Sequence, residues 1–159
     1  MLIRPFMYTD LESVIDLTIE TFRPSFENYV RPLLGEELFQ HQHGNWEQDY
    51  RDDLPARHDP AMGRYLAVAE DDAIVGIVAW NSPTKPDQGQ IYLLAVSSTH
   101  RRQGTGRLLC LHAIQQMKAA GIHFVGLGTG DDPFHVPARA LYESLGLTKI
   151  PTAGYLGKI

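Results

Sequence analysis

Leu94-Ala95-Val96-Ser97-Ser98-Thr99-His100-Arg101-Arg102-Gln103-Gly104-Thr105-Gly106-Arg107-Leu108-Leu109 passes from an apolar run, through a polar turn, into a second apolar pattern. Residues 90–97 are too short for a typical helix and read as a buried strand. From Gly104 onward, Leu108, Leu109, Leu111, Ile114 and Met117 recur at helical spacing, and Gly121 ends the pattern where a left-handed residue is commonly required. The stretch is therefore strand, loop, helix. Glycines at 104 and 106 let the backbone curl so that successive N–H groups point inward, and the helix start adds the positive end of its dipole. Arg101, Arg102 and Arg107 supply charge-assisted donors, which makes the loop a candidate anion site. The same glycines would also serve a plain tight turn.

Other phosphate loops fit poorly. A Walker loop needs Gly-Lys followed by Ser or Thr, and a dinucleotide fingerprint needs a third glycine where this chain has Leu109. Gly126-Leu127-Gly128-Thr129-Gly130 fails the same test at Asp131.

Upstream, residues 2–6 read as a strand. Thr9-Asp10-Leu11-Glu12 reads as a helix start, with Pro24 limiting that helix near Phe22. A second helix is expected over 25–40, interrupted by Pro32 and Gly35, and residues 41–62 read as helix ends and a surface loop. Residues 65–70 and 73–80 flank Asp71-Asp72 as an antiparallel hairpin, with 82–89 a connecting loop. Downstream, 122–127 is a strand, 137–145 a helix ending at Gly146, and the remainder from Leu147 supplies one or two last strands. This order indicates an α/β (α+β) mixed sheet covered by helices.

At 159 residues the chain is expected to form one domain. No run reaches the roughly 18 apolar residues that a membrane-spanning helix needs, so no membrane role is expected. Nothing near the first residues looks like an export signal, which places the protein in the cytoplasm as an expectation. A net charge of −5 gives no attraction to a phosphate backbone, and no nucleic-acid partner is expected. Cys110, the single cysteine, lies in the apolar helix and reads as a small buried hydrophobe. His41, His43, Glu47, Asp49 and Asp52 match no metal-ligand spacing, so no metal is expected.

Arg101-x-x-Gly104-x-Gly106 after Leu-Ala-Val, together with Ala138-Arg139-Ala140-Leu141-Tyr142-Glu143-Ser144-Leu145-Gly146-Leu147, resembles two motifs of the GCN5-related N-acetyltransferases at their family spacing. The resemblance covers about residues 64–150 by motif and residues 1–62 by order of elements. It implies a mostly antiparallel mixed sheet of six to seven strands with about four helices, acetyl-CoA as cosubstrate, and an amine acceptor. By that resemblance, backbone groups of Leu94 and Val96 pair with the pantetheine arm as though extending the sheet. Arg101, Arg102, Gln103, Gly104, Thr105, Gly106 and Arg107 form the pyrophosphate loop, and an N–H near Leu94 or Ala95 donates to the oxyanion. Tyr142 falls on the position of the acid that protonates the departing thiolate. His135 replaces the family's pantetheine-binding asparagine, and Gln90 stands where some members carry a glutamate base. A homodimer is a family-level expectation.

An alkylammonium with a pKa near 10 is neutral in only about one molecule in a thousand at pH 7, so a base or water relay is required. Tyr92, Glu36, Glu37, His41, His43 and Glu47 are candidates, as is His135. Phe26, Tyr29, Trp46 and Tyr92 are the expected acceptor-side residues, and a small-molecule amine is favoured over a protein. A noncatalytic acyl-CoA-binding module is the reading from a different class.

Overall fold

The computed structural model describes residues 1–159, the side chain at position 84 excepted. The chain divides into two compact units, Met1–Thr21 with Glu47–Gly128, and Phe22–Trp46 with Thr129–Ile159. Among the described residues no helix is long and apolar enough to cross a membrane.

The first unit is built on a five-stranded sheet in the order β1-β2-β3-β4-β5: Leu2–Pro5, Arg64–Asp71, Ala73–Lys85, Gln88–Val96 and Phe124–Leu127. The first four strands are successively antiparallel, and β5 lies parallel to β4. The turn at Asp71-Asp72 closes the β2–β3 hairpin as the sequence indicates, with Asp72 in the left-handed region at φ 61°. Residues 82–89 are not a simple connection. β3 continues to Lys85 and β4 begins at Gln88, so most of the expected loop is hairpin arm.

Helix α4, Thr105–Ala119, covers one face of the sheet with a stripe of Leu109, Ala113 and Met117 at four-residue spacing. These meet Ala67, Ala69, Val78, Trp80 and Ile91. Approach is close: a Cβ on Gly89 would lie 2.5 Å from the Met117 sulfur, and one on Gly76 would lie 2.9 Å from Leu109 Cδ1. The opposite face is also buried, through Leu66, Val68, Ile77, Ala79, Leu93 and Ala95. Helix α1, Leu11–Ser25, buries Val14, Ile15, Leu17 and Thr18.

The ladder between β3 and β4 carries one irregularity that shapes everything beyond it. Ala79 pairs with Leu93 while its neighbour Trp80 pairs with Ile91, so Tyr92 is an extra residue in β4, a β-bulge. Before the bulge Gly89 and Ile91 face α4; after it Leu94 and Val96 do.

Pro24 does not end α1 near Phe22 as expected. The helix runs through it to Ser25 and continues as a π turn, Phe26–Val30, before α2, Arg31–His43. The proline removes one backbone donor, and the change of hydrogen-bond spacing follows directly after it. The interruption at Gly35 does occur, at φ 73° and ψ 164°. The expected loop at 41–62 contains a further helix, α3, Trp46–Asp53. In the second unit α5 spans Val136–Ser144. Among the described residues the last strands expected from Leu147 are not formed, which leaves five strands rather than six or seven, with five α-helices against the expected four or so. Pro151 lacks a ladder donor, and residues 150–159 are exposed throughout.

An ion-pair network ties β1 to the start of α1. Arg4 donates to both oxygens of buried Asp10, at 2.7 and 3.0 Å, and to Glu70 at 2.7 Å, while the Met7 N–H also donates to Asp10. The Arg4 bonds outweigh burial and hold the Asp10 carboxyl below its ordinary value. A depressed carboxyl stabilises the fold above its unfolded pKa of about 4, and that contribution is lost as pH falls through the lower folded value. Asp10→Asn is expected to cost about 2 kcal/mol at neutral pH and to flatten the fall in stability on acidification, as read by urea unfolding between pH 7 and pH 3.

Candidate active site

The β4–β5 ladder extends only from Gln88 opposite Phe124 to Ile91 opposite Leu127, where the bulge intervenes. Beyond it, residues 92–96 have β3 on one side and, among the described residues, no strand on the other. Ser97 donates its N–H to the Val75 carbonyl, and alternation along the strand then turns the main-chain groups of Ala95 towards β3 and those of Leu94 and Val96 towards the open edge. Of the two residues expected to offer an oxyanion donor, Leu94 has its N–H on this edge, whereas that of Ala95 belongs to the β3 ladder.

The edge leads into the predicted loop, and the loop is curled. Arg102 lies at φ 60° and Gly104 at φ 85°, two left-handed residues within three positions. Helix α4 begins at Thr105, and its first ladder bond runs from Leu108 N–H to the Gly104 carbonyl at 3.0 Å. The amides of Thr105, Gly106 and Arg107 precede that bond and point out of the helix start. Internal bonds hold the curl: Gln103 Nε2 donates to the Thr99 carbonyl at 2.9 Å, and the Thr99 hydroxyl meets Ser97 Oγ at 3.0 Å. Arg102, Gln103, Gly104 and Arg107 are exposed and Gly106 is half-buried. Thr105 is buried, its hydroxyl turned to the Met1 sulfur at 3.5 Å, so only its amide faces outward. Arg101 Nε donates to the Val96 carbonyl at 3.0 Å, a brace between loop and strand edge.

Tyr92, the bulge residue, is anchored on the first unit's own side chains. Its hydroxyl donates to the Arg57 carbonyl at 3.3 Å, and the Arg57 guanidinium stands 4.7 Å from the ring centroid, itself paired with Asp53. Burial pushes its phenol above the ordinary value. Tyr92 is thus a donor and not a proton acceptor near neutrality, which removes it from the candidate bases. Gln90 cannot serve either: its amide oxygen lies over Gly126, 2.7 Å from where a Cβ would stand there. Cys110 is fully buried, its thiol pushed up to about 12 by desolvation, and it supplies no nucleophile.

In the second unit, Phe26 and Trp46 stack at 4.5 Å with an interplanar angle of 15°, bringing together two of the expected acceptor-side residues. Trp46 Nε1 donates to Glu27 at 3.3 Å, and Arg23 stands over the indole at 5.5 Å. Tyr29, the third, is half-buried on the π turn. Both Glu36 carboxylate oxygens accept from Arg31 Nη1, at 2.7 and 2.8 Å, which lowers the Glu36 pKa, and Glu37 is paired with Lys158.

His135 has a partner that the sequence reading did not identify. Its Nδ1 lies 2.7 Å from Asp132 Oδ2, and its backbone N–H donates to Asp132 Oδ1 at 3.2 Å. The available signal was the Asp132-Pro133-Phe134-His135 spacing, an acidic cap three residues before the histidine. Tyr142 is half-buried on α5, seven residues beyond His135 and so on the same side of the helix.

The family model described as "Acetyltransferase (GNAT) family" matches residues 17–147. A mycothiol acetyltransferase of Thermomonospora curvata is 31% identical over 141 residues, covering 84% of this chain and 44% of that protein. The chain spans less than half the length of the curated relatives it matches. Among solved structures, the PaiA N-acetyltransferase of Thermoplasma acidophilum, in complex with coenzyme A, aligns with a TM-score of 0.77 at 19% identity, over 96% of this chain and 92% of that one. A GNAT-family acetyltransferase of Staphylococcus aureus aligns at 0.73 and 17%, over 94% and 85%. At these identities both establish the fold.

Gly104→Ala has open space for its methyl, so its effect is conformational. It is expected to cost about 1–2 kcal/mol through the left-handed backbone, read as a lower midpoint in urea unfolding.

Proposed function

The chain belongs to the acetyltransferase (GNAT) family, and from that premise we propose that it transfers the acetyl group of acetyl-CoA to the primary amine of a small molecule. The observation that carries this reading is the open edge of β4 beyond Tyr92, continuous with a curled loop at the start of α4. An extended polar chain such as pantetheine can add to such an edge as a strand would, and the unladdered amides from Thr105 to Arg107, with Arg102 and Arg107 nearby, suit a diphosphate. The donors present therefore fit acetyl-CoA.

In this reading the Leu94 N–H donates to the oxyanion as the amine nitrogen bonds to the thioester carbonyl. Collapse of the tetrahedral intermediate breaks the C–S bond, and the sulfur leaves with the electron pair. Tyr142 is assigned the acid by its place in the late-helix motif. An ordinary phenol, with a pKa of about 10, remains protonated while the thiolate is basic enough, at about 8.5, to accept its proton. His135 stands at the family's pantetheine-binding position. The stacked Phe26–Trp46 pair, Tyr29 and Tyr92 are assigned to the acceptor side. The relatives named for mycothiol support a small-molecule acceptor.

Release of free CoA from acetyl-CoA, followed against a panel of primary amines, tests the reading directly. Turnover with at least one amine is expected, with kcat lowered on the order of 10²-fold in Tyr142→Phe. Unchanged kcat in that variant would remove the acid assignment. Binding without turnover by any amine would favour a noncatalytic acyl-CoA-binding module. Acetyl-CoA at about a hundred times its Kd is expected to stabilise the protein by about 2.7 kcal/mol, with little effect from NADH at the same concentration.

A further inference from the structure

Among the described residues, two buried side-chain oxygens have no hydrogen-bond partner, Thr21 Oγ1 and Asn81 Oδ1. The threonine sits on α1, where a hydroxyl can rotate towards the carbonyl one turn back, as Thr18 does to Val14 at 2.7 Å. Asn81 lies on β3, between β2 and β4, and a strand offers no carbonyl one turn back. A carbonyl buried without a donor is destabilising, and an apolar side chain of similar size would cost less at that position.

Asn81 belongs to a row of polar residues that crosses the sheet. Register sets it opposite Arg64 on β2 and Gln90 on β4, and sets Gln90 opposite Gly126 on β5. Trp80, Ile91 and Leu127, each the next residue along its strand from a member of the row, pack with the α4 stripe, so the row occupies the opposite face. Arg64 is engaged elsewhere, its Nη1 donating to the Ala56 carbonyl at 3.2 Å. The rest of the row is uncharged and consists of amides. A Cβ on Gly126 would lie 2.7 Å from Gln90 Oε1 and 2.9 Å from Gln88 Nε2, so the ends of both glutamines converge over the glycine. Asn81, Gln88 and Gln90 are all half-buried, which leaves part of each side chain open to a ligand.

The row lies one residue pair before Ile91 and Leu127, where the β4–β5 ladder ends and the open edge of β4 begins. Asn81 is three residues along β3 from Val78, the partner of Leu94, and at the rise of a strand that separation is about 10 Å. We propose that Asn81, with Gln90, binds the far end of the acceptor and selects an amine carrying an uncharged hydrogen-bonding group, a hydroxyl or an amide, about 10 Å from its reactive nitrogen. The proposal rests on the acetyltransferase reading, with the oxyanion at the Leu94 N–H, and deepens it. An amide side chain both donates and accepts, so it matches a hydroxyl or another amide and offers no counter-charge to a carboxylate or a second ammonium. The terminal torsion of an asparagine is soft, and rotation about it brings Oδ1 to a ligand donor that supplies the bond the protein does not. A polar group kept at a cost to stability is thereby given a use in recognition.

Octylamine and 8-amino-1-octanol present the same amine, the second with a hydroxyl at the required reach. CoA release is measured with both in wild type, Asn81→Leu and Gln90→Leu, with urea unfolding and acetyl-CoA affinity alongside. Wild type is expected to favour the amino alcohol by about tenfold in kcat/KM, expressed mainly in KM. Asn81→Leu is expected to remove that preference, the two amines then reacting alike, and Gln90→Leu to reduce it. Asn81→Leu is also expected to unfold at an equal or higher urea midpoint, with acetyl-CoA Kd within about threefold of wild type. A side chain kept for packing would show the reverse, a lower midpoint and an unchanged preference. No preference in wild type, a preference that survives Asn81→Leu, or turnover with other primary amines and with neither of these would overturn the proposal while leaving the acetyltransferase reading intact. Wild-type protein that binds acetyl-CoA yet releases no CoA with any primary amine would overturn both.

Discussion

One surplus residue in β4 governs the first unit. Had β3 and β4 kept register, the side-chain phase of β4 would have run unbroken, and its ladder with β5 could have continued past Ile91. With Tyr92 inserted, the side chains before and after it exchange faces, and pairing with β5 stops where the strand bends. The outcome is an edge of main-chain donors and acceptors along residues 92–96 of β4. Such an edge is normally a liability, and a ligand that adds as a strand would satisfy it. The Tyr92 ring, fixed by Arg57 from above and by its hydroxyl on the Arg57 carbonyl, keeps the bulge from relaxing into a regular pair.

The loop that follows depends on this edge and on α4. Leu109, Ala113 and Met117 lock α4 to the sheet, so the position of its first turn is set by core packing and not by the loop itself. The chain between Val96 and Thr105 must then close a fixed gap, and it does so through two left-handed residues. At Gly104 that conformation is cheap; at Arg102 it costs strain of order 1 kcal/mol, which the surrounding bonds sustain. The Arg101–Val96 bond joins the two ends of the device, so strand edge and curled loop hold each other. One consequence is that the Val96 carbonyl is already engaged by the protein, while its N–H and the main-chain groups of Leu94 face the open edge.

Legibility in the sequence followed the range of the interactions. The hairpin at Asp71-Asp72, the stripe of α4 and the glycine at its start are set by residues a few positions apart, and all were readable. So was membership of a family, because two motifs recur at a fixed distance. The bulge at Tyr92 was not readable, since Ile91-Tyr92-Leu93-Leu94 is apolar throughout and carries no alternation whose phase could be seen to slip. Pro24 misled for a similar reason: a proline forbids one hydrogen bond, and neighbouring packing decides whether the helix stops or changes spacing. The tail from Leu147 suggested strands by composition, yet a strand exists only where a partner edge accepts it. Asp132 was passed over because its meaning lies in a contact with His135 that only a folded turn creates.

Acyl transfer from a thioester to an ammonium makes two opposed demands on side chains. A proton must be removed from a nitrogen that holds it tightly, and a proton must be supplied to sulfur, which leaves as a basic thiolate. One group can serve both only by shuttling between them within a turnover. Two groups avoid that delay if one is a protonated acid and the other a free base at the same pH. Helix α5 carries Tyr142, and His135 caps it seven residues earlier with its ring on Asp132. The short helix therefore sets the separation of the two side chains, while Asp132 holds the imidazole and its backbone N–H through both carboxylate oxygens. In the turn before α5, the aspartate three residues ahead of the histidine caps the turn and also holds the histidine ring.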